Sequence, residues 1–180
     1  SQARAAGVDR FVGQRVPGPD EELPVARDGE VTARTQRIVD LVAEYDAALG
    51  TGHASPAAID AVVDACADAG VTPLVNHPCF GVVDVPIDQQ VSLAERGAVM
   101  EYCAYSVRST DGHTVERVVE AVERVGAEHC LLATDFGQAD NPPVPGLAAF
   151  LEGVVEAGLS RDTANRLVTD TPSRVLGLGD

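Results

Sequence analysis

Cys130-Leu131-Leu132-Ala133-Thr134-Asp135-Phe136-Gly137-Gln138 is an apolar run that stops on an acid, a glycine and an amide. Four small or apolar residues in succession suit a strand buried on both faces, as in a parallel sheet. An aspartate at the carboxyl end of such a strand lies where α/β proteins place their chemistry. Two earlier stretches end alike: Ala48-Leu49-Gly50-Thr51-Gly52-His53 and Pro73-Leu74-Val75-Asn76-His77.

Outward from these stretches, strands and helices alternate. Ile38, Leu41, Val42 and Tyr45 follow helical spacing, with Arg34, Arg37, Asp40 and Glu44 on the outside. A strand over 47–50 follows. Ser55-Pro56 starts a helix that runs to about Ala69. Strands are expected over 71–76, 98–105 and 128–134, and helices over 87–96 and 110–125. Two helices, 145–157 and 160–169, and a turn over 172–176 finish the chain. The expected organisation is an irregular leading segment over 1–31 and a (β/α)4 domain over 32–180 with C-terminal helices. Phe11 and Val12 in the leading segment suit a short strand or an anchor. Alternation of this kind implies a parallel sheet with right-handed crossovers. The fold class is α/β, with units of roughly 24 to 30 residues that suit a half-barrel or a small open sheet.

Composition narrows the function. The net charge is −15 and the pI about 4.4. A phosphate backbone or an anionic membrane would demand a basic surface, so both are excluded as partners. All 13 basic side chains are arginine, which rules out Schiff-base chemistry from this chain. Cys66, Cys79, Cys103 and Cys130 lack CxxC spacing and read as buried free thiols of a reducing cytoplasm. No apolar run approaches the ~20 residues of a membrane span.

His53 and His77 lie 24 residues apart, one unit; Asp135 follows His77 after two more. All carboxyl ends of a parallel sheet share one rim, so the three converge. Imidazole nitrogen and carboxylate oxygen are ligands for divalent ions. A structural histidine and a helix-capping aspartate are the plainer alternatives. Glu101, inside the third long strand, must point into the site, pair with arginine or face solvent. Gln138 and Asn141 could touch substrate or serve only the turn. His113 and His129 read as surface residues, and Asp84 and Asp88 as caps.

Thr51-Gly52-His53, Val75-Asn76-His77-Pro78 and Leu132-Ala133-Thr134-Asp135 resemble late-strand motifs of the amidohydrolase superfamily, metal-dependent hydrolases on a TIM barrel. The closest likeness is to an uncharacterised amidohydrolase-like group. Asp170-Thr171-Pro172-Ser173-Arg174-Val175-Leu176-Gly177 resembles the superfamily's closing helix. The resemblance spans about residues 35–178. It implies that His53 and His77 are the metal ligands of strands five and six. It also implies that Asp135 is the strand-eight aspartate, which binds metal and handles the proton of the attacking water. The implied ion is Zn²⁺, with Mn²⁺ or Fe²⁺ as alternatives. The superfamily's first-strand His-x-His pair and strand-four lysine have no counterpart, so the chain corresponds to strands 5–8, a C-terminal half-barrel. The expected activity is hydrolysis of a small molecule at a carbonyl or phosphoryl centre. The expected partner is a complementary N-terminal half or a second copy in a homo-oligomer. The alternative is a non-catalytic half-barrel scaffold that assembles with a partner chain. An open sheet binding a phosphorylated ligand ranks lower, because no GxGxxG or P-loop glycine pattern is present.

Overall fold

Four strands lie side by side in the order in which the chain makes them. The computed structural model describes residues 10–11, 14–15, 23–109 and 114–178. Two short antiparallel pairs come first: β1 (Arg10–Phe11) with β2 (Gln14–Arg15), and β3 (Ala26–Arg27) with β4 (Glu30–Val31). The central sheet is β5 (Ala48–Gly50), β6 (Thr72–Asn76), β7 (Val99–Cys103) and β8 (Cys130–Ala133), all parallel. Among the described residues it does not close into a barrel.

The helices are α1 (Ala33–Glu44), α2 (Pro56–Ala69), α3 (Ile87–Glu95), α4 (Ala104–Ser109), α5 (Val115–Val125), α6 (Pro143–Glu156), α7 (Arg161–Val168) and α8 (Asp170–Val175). Their starts are written locally. The hydroxyls of Thr32, Ser55, Thr114 and Ser160 accept from backbone N–H groups in the first turns of α1, α2, α5 and α7. Such a cap satisfies a donor that the helix leaves over.

Strands that succeed one another with right-handed crossovers collect their helices on one face. Val75, Met100, Tyr102, Cys130 and Leu132 point to that face and share one core with Ile59, Leu93, Val122 and Leu167. Because side chains alternate, Asn76 and Glu101 point the other way, as register neighbours on β6 and β7. A smaller cluster, Val39, Val62, Cys66 and Val71, joins α1 to α2.

Tyr102 and Gln90 find partners inside the main core. The Tyr102 hydroxyl donates to Gln90 Oε1 at 2.8 Å, and Gln90 Nε2 donates to the Val85 carbonyl at 2.8 Å. All four cysteines are buried free thiols, and burial pushes Cys66 up to about 11 and Cys130 up to about 12. No described helix is long and apolar enough to cross a membrane.

Three expectations need correction. The apolar side of α1 is only in part its inner side: Val42 packs inward beside buried Val39, whereas Ile38, Leu41 and Tyr45 are exposed. The strand expected over 98–105 stops at Cys103, and α4 begins at Ala104. No glycine or proline marks that change, so composition hides it. The closing turn over 172–176 is the helix α8. His113 lies outside the described residues, and His129 sits in a 3₁₀ turn before β8.

Removing the hydroxyl in Tyr102→Phe would leave Gln90 Oε1 buried without its donor. Urea unfolding is expected to show a loss of about 1–3 kcal/mol.

Candidate active site

The carboxyl ends of β5, β6 and β8 are each followed within two residues by left-handed backbone. The φ values are +57° at Gly52, +34° at His77 and +53° at Asp135. Glycine takes this conformation freely and aspartate tolerates it, but histidine before a proline does not. His77 is held there by a turn, with Phe80 N–H donating to the His77 carbonyl at 2.8 Å and Val85 N–H to the Pro78 carbonyl at 2.8 Å. Strained non-glycine backbone of this kind gathers at functional sites.

Asn76 ties the strand ends together. Its Oδ1 accepts from Gly52 N–H at 2.8 Å, and its Nδ2 donates to Glu101 Oε2 at 2.6 Å. Its own N–H donates to Thr51 Oγ1 at 3.3 Å. A Cβ at Gly50 would stand 2.9 Å from Asn76 Oδ1, so only glycine admits the amide. The Gly52 donor dictates the amide's orientation, which leaves the Nδ2 donors for Glu101.

His53 and His77 are brought together, with ring centroids 4.5 Å apart and planes at 38°. His77 is 7% exposed, whereas His53 reaches the surface. Partial burial holds the His53 pKa below the ordinary imidazole value, with the Asp135 charge pulling the other way. Burial lowers His77 as well, helped by His53 and opposed by Asp135. His77 Nδ1 is buried without a hydrogen-bond partner. Glu101 is pushed up by burial, against its hydrogen bond from Asn76, with Asp135 adding to the rise. The charge of Asp135 thus reaches His53, His77 and Glu101.

Aromatic rings continue the rim: His77 to Phe80 (5.4 Å), Phe80 to Tyr105 (6.1 Å) and Tyr105 to Phe136 (6.5 Å). The Arg108 guanidinium lies 5.5 Å from the Phe136 ring centre. A Cβ at Gly146 would overlap the Phe136 ring, so a bare backbone on α6 seats it. An apolar cavity of about 180 Å³ lies beside Phe136 and Arg108. A larger groove, about 620 Å³ and lined by Glu30, Asp40, Asp64 and Asp68, lies between β4, α1 and α2 and holds none of these rim residues.

Of the residues singled out in the sequence, His53, His77, Asp135 and Glu101 gather at the rim. Gln138 and Asn141 serve their own loop: Gln138 Nε2 donates to the Asp135 carbonyl at 3.3 Å, and Asn141 Nδ2 to Gln138 Oε1 at 3.1 Å. Asn76 and the aromatic arc escaped the sequence reading. Only the pairing of Asn76 and Glu101 across two strands would have exposed the amide. Two neutral imidazoles, one with an unengaged buried nitrogen, suit a divalent ion by donor chemistry. Among the described residues, however, no group of three or more His, Cys, Asp or Glu is arranged to hold a metal ion.

A family profile, described as DUF6282, family of unknown function, matches residues 2–101. The chain belongs to this family. The matched stretch includes His53, His77 and Glu101 but not Asp135. No curated protein matches the sequence. Among solved structures, the chain is similar to a Pseudomonas putida protein provisionally described as a 2-pyrone-4,6-dicarboxylic acid hydrolase. The TM-score is 0.61 at 17% identity, over 100% of this chain and 69% of the other. At that identity the likeness is one of fold.

The pKa directions set a pH dependence. A lowered imidazole disfavours its proton in the folded chain. Stability from the pair is therefore complete above about pH 6.5, the ordinary histidine value, and is lost as pH falls through the folded values. The raised Glu101 has the opposite sign, its penalty easing as pH falls. Between pH 7.5 and 5.5 the melting temperature of the native chain is expected to fall relative to a His77→Asn variant. Parallel curves would show that the rim histidine carries no such linkage.

Proposed function

We propose that this DUF6282 chain carries part of a metal-dependent hydrolase site of the amidohydrolase type. The observation that carries this reading is the His53–His77 pair at adjacent strand ends, under the charge of Asp135. Its fold likeness to a protein described as a hydrolase supports the same class. His53 and His77, both favoured as neutral imidazoles, would hold a divalent ion, Zn²⁺ first and Mn²⁺ or Fe²⁺ otherwise. Such an ion supplies an activated water and polarises a carbonyl or phosphoryl oxygen.

The chain's own groups do the rest. Asp135 takes the proton released by the attacking water. Glu101, raised toward neutrality by burial, stands as a second proton holder in reach of the same charges. Asn76 keeps Glu101 and the Gly52–His53 turn in register. Phe80, Tyr105 and Phe136 give an apolar wall against which a small substrate lies while bulk water is kept off. Since no group of three or more His, Cys, Asp or Glu among the described residues is arranged for a metal ion, the remaining donors would come from a complementary half or a second copy.

Titration calorimetry with Zn²⁺ and Mn²⁺, paired with a panel of small esters, lactones, amides and phosphoesters, tests this. One ion per chain is expected, with affinity at least about tenfold weaker in His53→Ala or His77→Ala. Asn76→Ala is expected to weaken binding by about 10- to 100-fold, the usual cost of losing support behind a ligand. Binding that ignores all three substitutions, or no binding at all, contradicts the reading.

A further inference from the structure

The outer face of α1 carries three large apolar side chains among its charged ones. Ile38, Leu41 and Tyr45 are 51%, 38% and 80% exposed. Their spacing of three and four residues puts them on one stripe. Leu23 and Val25, 71% and 36% exposed, lie just before the helix in the chain. They are tied to the first turn of α1, where Thr35 Oγ1 donates to the Val25 carbonyl at 2.7 Å and Thr32 Oγ1 to the Pro24 carbonyl at 3.2 Å. Scattered exposed hydrophobics are ordinary, but a contiguous stripe marks a contact surface.

The charges on α1 say what covers it. Arg34 and Arg37 lie in its first half; Asp40, Glu44 and the following Asp46 lie at its other end. This opposes the helix dipole, which favours acids at the amino end and bases at the carboxyl end. Among the described residues Arg34, Arg37 and Glu44 have no ion-pair partner. Arg96, Arg117, Arg124 and Arg161 all pair with acids. A helix that is basic at one end and acidic at the other is complementary to an antiparallel copy of itself. A two-fold axis across the stripe sets Arg37 of one copy opposite Glu44 of the other, twice, on the same flank. It also lays each amino terminus beside the other copy's carboxyl terminus, which offsets the unfavourable dipole.

We propose that α1 is a self-association surface, and that two copies of this chain pair antiparallel through Ile38, Leu41 and Tyr45 with reciprocal Arg37–Glu44 contacts. The interface is isologous, as a two-fold dimer requires. At −15 per chain, long-range repulsion opposes dimerisation. The local charge pairing therefore selects the orientation as well as adding attraction. The inference rests on α1 alone and stands apart from any metal chemistry at the rim.

Sedimentation equilibrium of the full chain is the test, with circular dichroism to confirm folding of each variant. The native chain is expected to be a dimer. Leu41→Glu with Tyr45→Ser is expected to be a folded monomer. Arg37→Glu and Glu44→Arg alone should each weaken the dimer at least about tenfold through like-charge contact. The double reversal R37E/E44R should restore it. A native monomer well above micromolar concentration overturns the proposal. So does a dimer indifferent to Leu41→Glu with Tyr45→Ser, or a charge swap that fails to rescue the dimer.

Discussion

One side-chain amide holds the candidate site in shape. Asn76 receives Gly52 N–H on one side and gives its own N–H bond to the Glu101 carboxylate on the other. It thereby fixes the ends of three neighbouring strands at the level where His53, His77 and Glu101 stand. Gly50 leaves the room that the amide fills. A parallel ladder aligns backbones, but it does not by itself set the loops that leave the rim. Here a charge-assisted bond and a bond to a loop N–H share that task, in surroundings where an unmet partner is costly.

The electrostatics follow from that frame. Two imidazoles pressed together and partly buried have their pKa values lowered, and burial together with the Asp135 charge raises that of Glu101 above the usual carboxylate value. Asp135 reaches all three with its charge, from a left-handed turn seated by Phe136 against Gly146. Shifted groups gathered at one rim are what the proposed function draws on. Among the described residues no group of three or more His, Cys, Asp or Glu is arranged to hold a metal ion, so the proposed function includes completion by a complementary half or a second copy.

Much of the fold was legible in the chain itself. Apolar runs that end in His53, His77 or Asp135, separated by capped amphipathic stretches, read directly as successive β/α units, and the sheet has that order. The meeting of the two histidines followed from strand position alone. What escaped detection had physical reasons. The bonds of Asn76 span 24 and 25 residues, so no local pattern announces them. The positive φ of His77 is imposed by its turn against the residue's own preference. The face of α1 was legible only in part, because helical spacing groups apolar residues into a stripe but does not say how much of that stripe the neighbouring helix covers. The charged residues Arg34, Arg37, Asp40 and Glu44 do face solvent, and Val42 does pack toward α2 beside Val39; it is Ile38, Leu41 and Tyr45 that stay on the exposed side. The Cys103–Ala104 junction carries no breaker to end β7.

The central claim is that His53 and His77 act as one site. Nitrogen-resolved NMR of the histidine rings during titration with Zn²⁺ tests it most directly. The account predicts that the resonances of His53 and His77 move together, to a common end point, while those of His129 stay in place. Separate shifts of the two rings, or none while His129 responds, would contradict it.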